Sequence, residues 1–308
     1  MLPFKGKSQK VLILLKEHEI ITENRKDVSG MANGRFSGIL LVSDMDGTLL
    51  STTKTISTEN KDAIRYFTEN GGTFTLATGR IPRSAGQYIA DLAINAPGVF
   101  YNGGMIYDLH KQSVVFEQAL SPEAEATATA YINAYPTCGA EVYSQGVLHI
   151  VRSHPLIEKH LTVEAFISKR VNSFADVPHP WQKVIFVDDS KQIDEMEKNA
   201  PEADDVGHYV RSDEMFFELL PPNVSKGRAL KKLAAMLDIP MNRVAAVGDN
   251  MNDEDMLKTA GAGFAVSNAC DAIRQCAPYG CCANDDHAIV EVVKWIETNW
   301  APSVATNA

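Results

Sequence analysis

Apolar positions in this 308-residue chain come as short continuous runs or at helical spacing, and the two kinds alternate. Ile39-Leu40-Leu41-Val42-Ser43 is continuous rather than alternating, the mark of a parallel strand covered on both faces. Thr58 to Asn70 has helical spacing through Ile64 and Phe67 and stops at Gly71-Gly72, a helix-ending signal. Thr73 to Ala77 reads as a strand, Thr78-Gly79-Arg80 as a turn and Arg83 to Leu92 as a helix. Val99 to Tyr101 is a further short strand ending at Asn102-Gly103-Gly104. Strands and helices in this alternation predict a parallel sheet with right-handed crossovers.

The pattern then changes. Glu123 to Tyr135 predicts a helix, and Ala140 to Val151 reads as two strands about Gln145-Gly146, a hairpin signal. Pro155 to Ser168 predicts a helix, Lys183 to Val187 a strand, Ile193 to Asn199 a helix and Met215 to Leu220 a strand. This mixture predicts a separate α+β module over 110–218, left through Pro221-Pro222. Alternation resumes with a helix opened by Ser225, whose apolar face is Leu230, Leu233, Ala234 and Leu237. Val244 to Val247 and Ala262 to Val266 read as strands, and Ala288 to Thr298 as the last helix. The predicted fold class is α/β, a doubly wound parallel-sheet core over 37–109 and 219–308, interrupted by the inserted module. Residues 1–36 read as an N-terminal extension, with a short helical stretch from Val11 to Ile21. Met31, just before the first core strand, marks residues 1–30 as dispensable or as preceding the natural start.

Composition changes this picture little: 45% of residues are apolar and 22% charged, as in ordinary globular proteins. The net charge of −10 argues against nucleic acid or an anionic membrane as the main partner. It leaves room for a phosphorylated substrate, since one local cation site suffices to hold a phosphate. No apolar run approaches the roughly 20 residues of a membrane span. The apolar run from Val11 to Leu15 is cut short by Lys16-Glu17-His18-Glu19, which is unlike a secretory signal. Cys138, Cys270, Cys276, Cys281 and Cys282 include no CxxC pair and read as free thiols in a reducing compartment. The expected location is cytoplasmic; the oligomeric state is not encoded in any legible feature.

Candidate chemistry gathers at the predicted strand ends, where ligands bind in open α/β sheets. Asp44 and Asp46 in Asp44-Met45-Asp46-Gly47-Thr48 place two carboxylates one residue apart at the end of the first core strand. Two such acids repel unless a cation or a shared proton intervenes, which suggests a metal site, a catalytic pair, or both. The stretch fails as a calcium loop, because Thr48, Leu49 and Thr55 stand where an acid, a glycine and a glutamate are needed. Thr78-Gly79 offers a hydroxyl and an unobstructed amide to phosphate oxygens. Lys226 opens a helix, so its ammonium and the helix N-terminus can face one anion. Asp249 and Asp253 flank Asn252 directly after a strand, an acidic group suited to magnesium. Arg80 and Arg83, Asn102, and the group His149, Arg152 and His154 are further polar candidates near predicted strand ends.

These motifs, in this order and with an insert between the second and third, resemble the haloacid dehalogenase superfamily, and within it the Cof-type phosphatases with a large α+β cap (subfamily IIB). Asp44-Met45-Asp46-Gly47-Thr48 matches the family's first motif, Thr78-Gly79-Arg80 the second, Lys226 in Ser225-Lys226-Gly227 the third, and Gly248-Asp249-Asn250-Met251-Asn252-Asp253 the fourth. The match spans about 39–295. Gly280-Cys281-Cys282-Ala283-Asn284 departs from the usual Ser-Asn segment before the last helix. The resemblance implies a Rossmann-like core with an inserted cap that closes over the site. It implies Asp44 as nucleophile forming an aspartyl-phosphate, and Asp46 as general acid and base. Magnesium would be held by Asp44, the backbone carbonyl of Asp46 and Asp249, with Asp253 orienting that shell. Lys226, Thr78, the amides of Met45 and Gly79, and Asn252 would hold phosphate oxygens. The implied function is hydrolysis of small phosphorylated metabolites, such as sugar phosphates or phosphorylated cofactors. A hexose phosphomutase and a non-catalytic phospholigand-binding regulator are the alternatives.

Overall fold

Leu40–Ser43 is buried throughout, which explains why its sequence shows no polar alternation. The computed structural model describes residues 34–163, 167–202 and 205–301. The stretch Val11 to Ile21 and Met31 lie outside the described residues. The first part of the chain runs β1 (Leu40–Ser43), α1 (Thr58–Glu69), β2 (Thr73–Leu76), α2 (Pro82–Ile89), β3 (Gly98–Phe100), β4 (Met105–Asp108) and β5 (Ser113–Glu117). Next come α3 (Ala124–Ala134), β6 (Gly139–Ser144), β7 (Val147–Arg152), α4 (Pro155–Val163), β8 (Ser168–Arg170), β9 (Trp181–Val187), α5 (Ser190–Lys198), β10 (His208–Asp213) and β11 (Phe216–Leu220). The last part holds α6 (Lys226–Met236), β12 (Val244–Gly248), α7 (Glu254–Thr259), β13 (Ala262–Val266), α8 (Asp271–Cys276), β14 (Tyr279–Cys281) and α9 (Ala288–Asn299).

The central sheet is parallel, in the order β14-β13-β12-β1-β2. Strand β3 adjoins it through the parallel bridge Ala77–Val99 and carries the antiparallel pairs β3–β4 and β4–β5. Local chemistry sets the helix limits. Ser57 caps α1 by accepting from the Asn60 amide, and Pro82 opens α2, where its missing N–H costs nothing. Gly71, at φ +87°, turns the chain after α1 into β2, as the Gly-Gly signal requires.

A second sheet, in the order β10-β11-β9-β6-β7-β8, is antiparallel except where β7 meets β8. Both faces of its central strands β6 and β9 are buried. Val184 and Phe186 join a cluster with Ala124, Ile132, Ile193 and Phe217, under α3 and α5. Ile185 and Val187 belong instead to the large cluster shared with the parallel sheet, together with Tyr143, Leu148, Ile150 and Ile157. The strand period of two therefore sends every other residue of β9 toward the parallel-sheet unit.

Several expectations need correction. The helix expected from Pro155 to Ser168 is described only to Val163, and Ser168–Arg170 pairs with β7 as a strand. The hairpin β4–β5, strand β10 and the short elements α7, α8 and β14 were not read from the sequence. Residue 110 falls in the turn between β4 and β5, and 219 falls inside β11. Leu120 already bridges to Trp181 of the second sheet. We propose on these pairings that the insert spans about residues 119–220.

Candidate active site

Register brings the motif residues together. In the parallel pairing of β1 with β12, Ser43 lies opposite Val247, and β2 places Leu76 opposite Ser43. The residues that follow each strand therefore emerge at one sheet edge. Asp44 remains stitched to β12, its amide donating to the Val247 carbonyl at 2.9 Å. Across this edge the Thr48 hydroxyl donates to Asp249 Oδ1 at 2.9 Å. Gly47 lies between them at φ +76°, and a Cβ there would stand 2.4 Å from Asp249 Oδ2. Only glycine meets both demands.

Lys226, first residue of α6, points inward with its side chain fully buried. Ser225 caps that helix by accepting from the Arg228 amide. Lys226 Nζ reaches Asp44 Oδ1 and Asp253 Oδ1, both at 2.6 Å. The other oxygen of Asp253 accepts from the amides of Asp249 and Asn250 at 2.9 and 3.1 Å. Asp253 thus spends both oxygens on shaping the loop and holding Lys226. One carboxylate oxygen from each of Asp44, Asp249 and Asp253 lies within 4.8 Å of the other two.

A single ammonium among three carboxylates leaves charge uncompensated. Burial, with repulsion from Asp253 and Asp249, raises the Asp44 carboxyl well above its usual range despite Lys226. Burial and then Asp253 push Asp249 up to about 7. For Lys226, burial works against the charge, but Asp253 and Asp44 outweigh it and raise the ammonium's pKa. A cluster of hard oxygen donors that resists ionisation without further positive charge fits a divalent cation such as magnesium. Asp44 and Asp249 are the side chains suited to hold it.

Asp46 is placed differently from the other acids. Arg80 grips it with Nε on Oδ2 at 2.6 Å and Nη2 on Oδ1 at 2.9 Å, and Lys54 Nζ reaches Oδ1 at 2.7 Å. Burial alone would raise its pKa, but Arg80 and then Lys54 override this and hold it near about 2. The Met45 side chain is in the core, so only its backbone can serve a ligand. Thr78 and Gly79 follow β2, with the Thr78 hydroxyl accepting from the Arg80 amide at 3.1 Å. Asn252 lies across from them, its side-chain nitrogen donating to Asn102 Oδ1 at 3.1 Å. A cavity of about 500 Å³ opens above these groups, roofed by Tyr143, Ile185, Phe216 and Leu156 of the second sheet and α4.

The other polar candidates separate. Arg80 lines this cavity, whereas Arg83 lines a different one. His149 is buried in the second sheet, Arg152 Nη1 donates to the carbonyls of Ile132, Tyr135 and Cys138, and His154 faces Asp188. None of the three lines the cavity. Sequence reasoning missed Lys54, Lys183 and Glu218, which do line it. The available signal was a charge inside an apolar strand, Lys183 in Trp181–Val187 and Glu218 in Phe216–Leu220. The departing segment at 280–284 acts as a prop. Asn284 donates to the Leu50 carbonyl at 2.9 Å, and Asn268, bonded to the Asn284 amide, donates to the Gly47 carbonyl at 2.8 Å.

The family model for haloacid dehalogenase-like hydrolases matches residues 41–293. The chain is similar to Phosphatase YwpJ of Bacillus subtilis, at 27% identity over 282 residues, covering 83% of this chain and 98% of that protein. It is also similar to the 5-amino-6-(5-phospho-D-ribitylamino)uracil phosphatase YwtE of the same organism, at 27% identity over 271 residues, covering 80% and 93%. A solved haloacid dehalogenase-like hydrolase from B. subtilis superposes with a TM-score of 0.74 at 26% identity, covering 83% and 99%. The match takes in all four motifs and the insert between them, and the chain belongs to the haloacid dehalogenase-like hydrolases.

Proposed function

We propose that this protein is a magnesium-dependent phosphatase of small phosphorylated metabolites, working through an aspartyl-phosphate on Asp44. The observation that carries the reading is the buried cluster in which Lys226 lies 2.6 Å from Asp44, with Asp249 beside it. Asp44 Oδ attacks phosphorus, a new O–P bond forms, and the bond to the leaving alcohol breaks. Lys226 screens the approach of carboxylate to phosphate dianion, and Thr78, Asn252 and the amides of Met45 and Gly79 hold the phosphate oxygens. Magnesium, when held by Asp44, Asp249 and the Asp46 carbonyl, supplies the further charge neutralisation such an attack needs. Asp46 protonates the departing alkoxide, then takes a proton from the water that cleaves the acyl phosphate. Its ionised state under Arg80 and Lys54 is the one required for the second step. The first step requires Asp46 to leave that grip and gain a proton.

A cavity of this size supports a small-molecule substrate, and the YwtE relative's named substrate is of that class. No helix of the described residues is long and apolar enough to cross a membrane. Release of inorganic phosphate from a panel of phosphorylated metabolites, with magnesium and with chelator, tests the proposal. Phosphate retention with dependence on a bisphosphate would favour the mutase alternative. Absence of turnover in magnesium would refute both.

A further inference from the structure

Beneath the roof of the cavity lies a buried polar chain whose Lys183, Glu218 and Asn102 the proposed chemistry does not use. Lys183 of β9 and Glu218 of β11 form an ion pair at 2.9 Å, their side chains only 4% and 3% exposed. Both side chains turn toward the parallel-sheet unit. Lys183 Nζ donates across the boundary to the Gly79 carbonyl at 3.1 Å. Glu218 Oε1 accepts from Lys183 and from the Ser212 hydroxyl at 2.8 Å, and Oε2 accepts from Asn102 Nδ2 at 2.9 Å. Asn102 Oδ1 in turn accepts from Asn252 Nδ2 at 3.1 Å. Asn102 is fastened to the Thr78-Gly79 turn by its amide, which donates to the Thr78 carbonyl at 3.1 Å, and its side chain lies against Gly79.

We propose that Glu218 and Lys183 are positioning residues that set the two phosphate-binding turns from the second sheet, Lys183 through the Gly79 carbonyl and Glu218 through Asn102 on Asn252. The inference rests on the phosphatase reading above. Its basis is the polarity of hydrogen bonds. A carboxylate paired with an ammonium only accepts, so Asn102 must present nitrogen to Glu218 and oxygen to Asn252. Asn252 must then present nitrogen to Asn102, which leaves its second N–H to donate to a phosphate oxygen. Lys183 anchors the neighbouring Gly79 carbonyl in the same way. Both turns are therefore fully oriented only when the second sheet is seated on them.

Replacing Glu218 by glutamine keeps the shape but lets the chain reverse. The glutamine oxygen faces Lys183, its nitrogen faces Asn102, and both asparagines turn over, aiming Asn252 oxygen where nitrogen was. Affinity for inorganic phosphate in magnesium, titrated by calorimetry, reads this without requiring turnover. Glu218→Gln is expected to weaken phosphate binding about 10- to 100-fold, the range of one hydrogen bond to a charged group. On an Asn252→Ala background the same change is expected to do nothing more, because the relay ends at that residue. An equal further loss on that background, or an effect of Glu218→Gln below twofold, overturns the relay. Should Glu218→Gln fail to fold, Asn102→Gly takes its place in the same cycle, since glycine accepts the φ of 53° and leaves the Lys183–Glu218 pair intact. A wild type that binds phosphate without turnover refutes the catalytic reading but leaves the relay to the cycle. A wild type that binds no phosphate overturns the relay, while the turnover assay decides the catalytic reading separately.

Discussion

Replacing Lys226 by methionine removes the one ammonium from a cluster of three carboxylates while nearly keeping its volume. Two contacts at 2.6 Å are lost. At an effective dielectric of about 20, each is worth roughly 6 kcal/mol of attraction, against several kcal/mol for withdrawing the ammonium from water. Removing one partner of such a buried group costs about 3–5 kcal/mol, because the remaining charges are stranded. Urea unfolding in chelator at pH 7.5 measures this, followed by the fluorescence of Trp295 and Trp300, which both pack on the core of the parallel-sheet unit. Magnesium should restore part of the loss. Acid should do so too. Asp249 has a folded pKa raised to about 7, so between the unfolded carboxylate value and 7 the folded state binds more protons, and stability rises as the pH falls through 7. A Lys226→Met protein within about 1 kcal/mol of wild type in chelator would refute the stranded-charge account.

Asp44→Asn should abolish turnover while leaving unfolding in chelator unchanged or slightly later, since it removes one of the crowded charges; near-normal hydrolysis would take the nucleophile role from Asp44. Asp46→Ala should slow hydrolysis by about 10²–10⁴-fold for a poor leaving group and much less for p-nitrophenolate; equal losses for both would argue against proton donation. Gly47→Ala forces a side chain into a left-handed backbone and against Asp249, at about 1–2 kcal/mol for the backbone alone. Magnesium affinity, read by calorimetric titration, should fall at least tenfold, and an unchanged affinity would show that Asp249 is not held by that contact.

Much of the parallel unit was legible because its strands are buried on both faces, which makes their apolar runs continuous. The candidate site was legible because carboxylates, Thr78-Gly79 and Lys226 stand at predicted loops beside the sheet. What escaped was set by partners remote in sequence. Ser168–Arg170 is a strand only because β7 offers it an edge, whatever its local preference. The grip of Arg80 on Asp46 joins residues 34 positions apart, and nothing in the order of residues shows which acid an arginine will choose. Lys183 and Glu218 were visible as charges within apolar strands, but their meeting depends on the register between β9 and β11 and on the seating of one sheet over another. His149, Arg152 and His154 illustrate the reverse, since polarity near a strand end did not place them at the cavity.

The pairing of Asp44 with Lys226 has a bearing on how the protein is made. Asp44 leaves the ribosome 182 residues before the ammonium that sits against it. The prop formed by Asn268 and Asn284 follows later still. A chain translated only as far as the insert therefore carries Asp44 without the counter-charge it pairs with. The cluster can assemble only after β12 has been made, when that strand closes against the first.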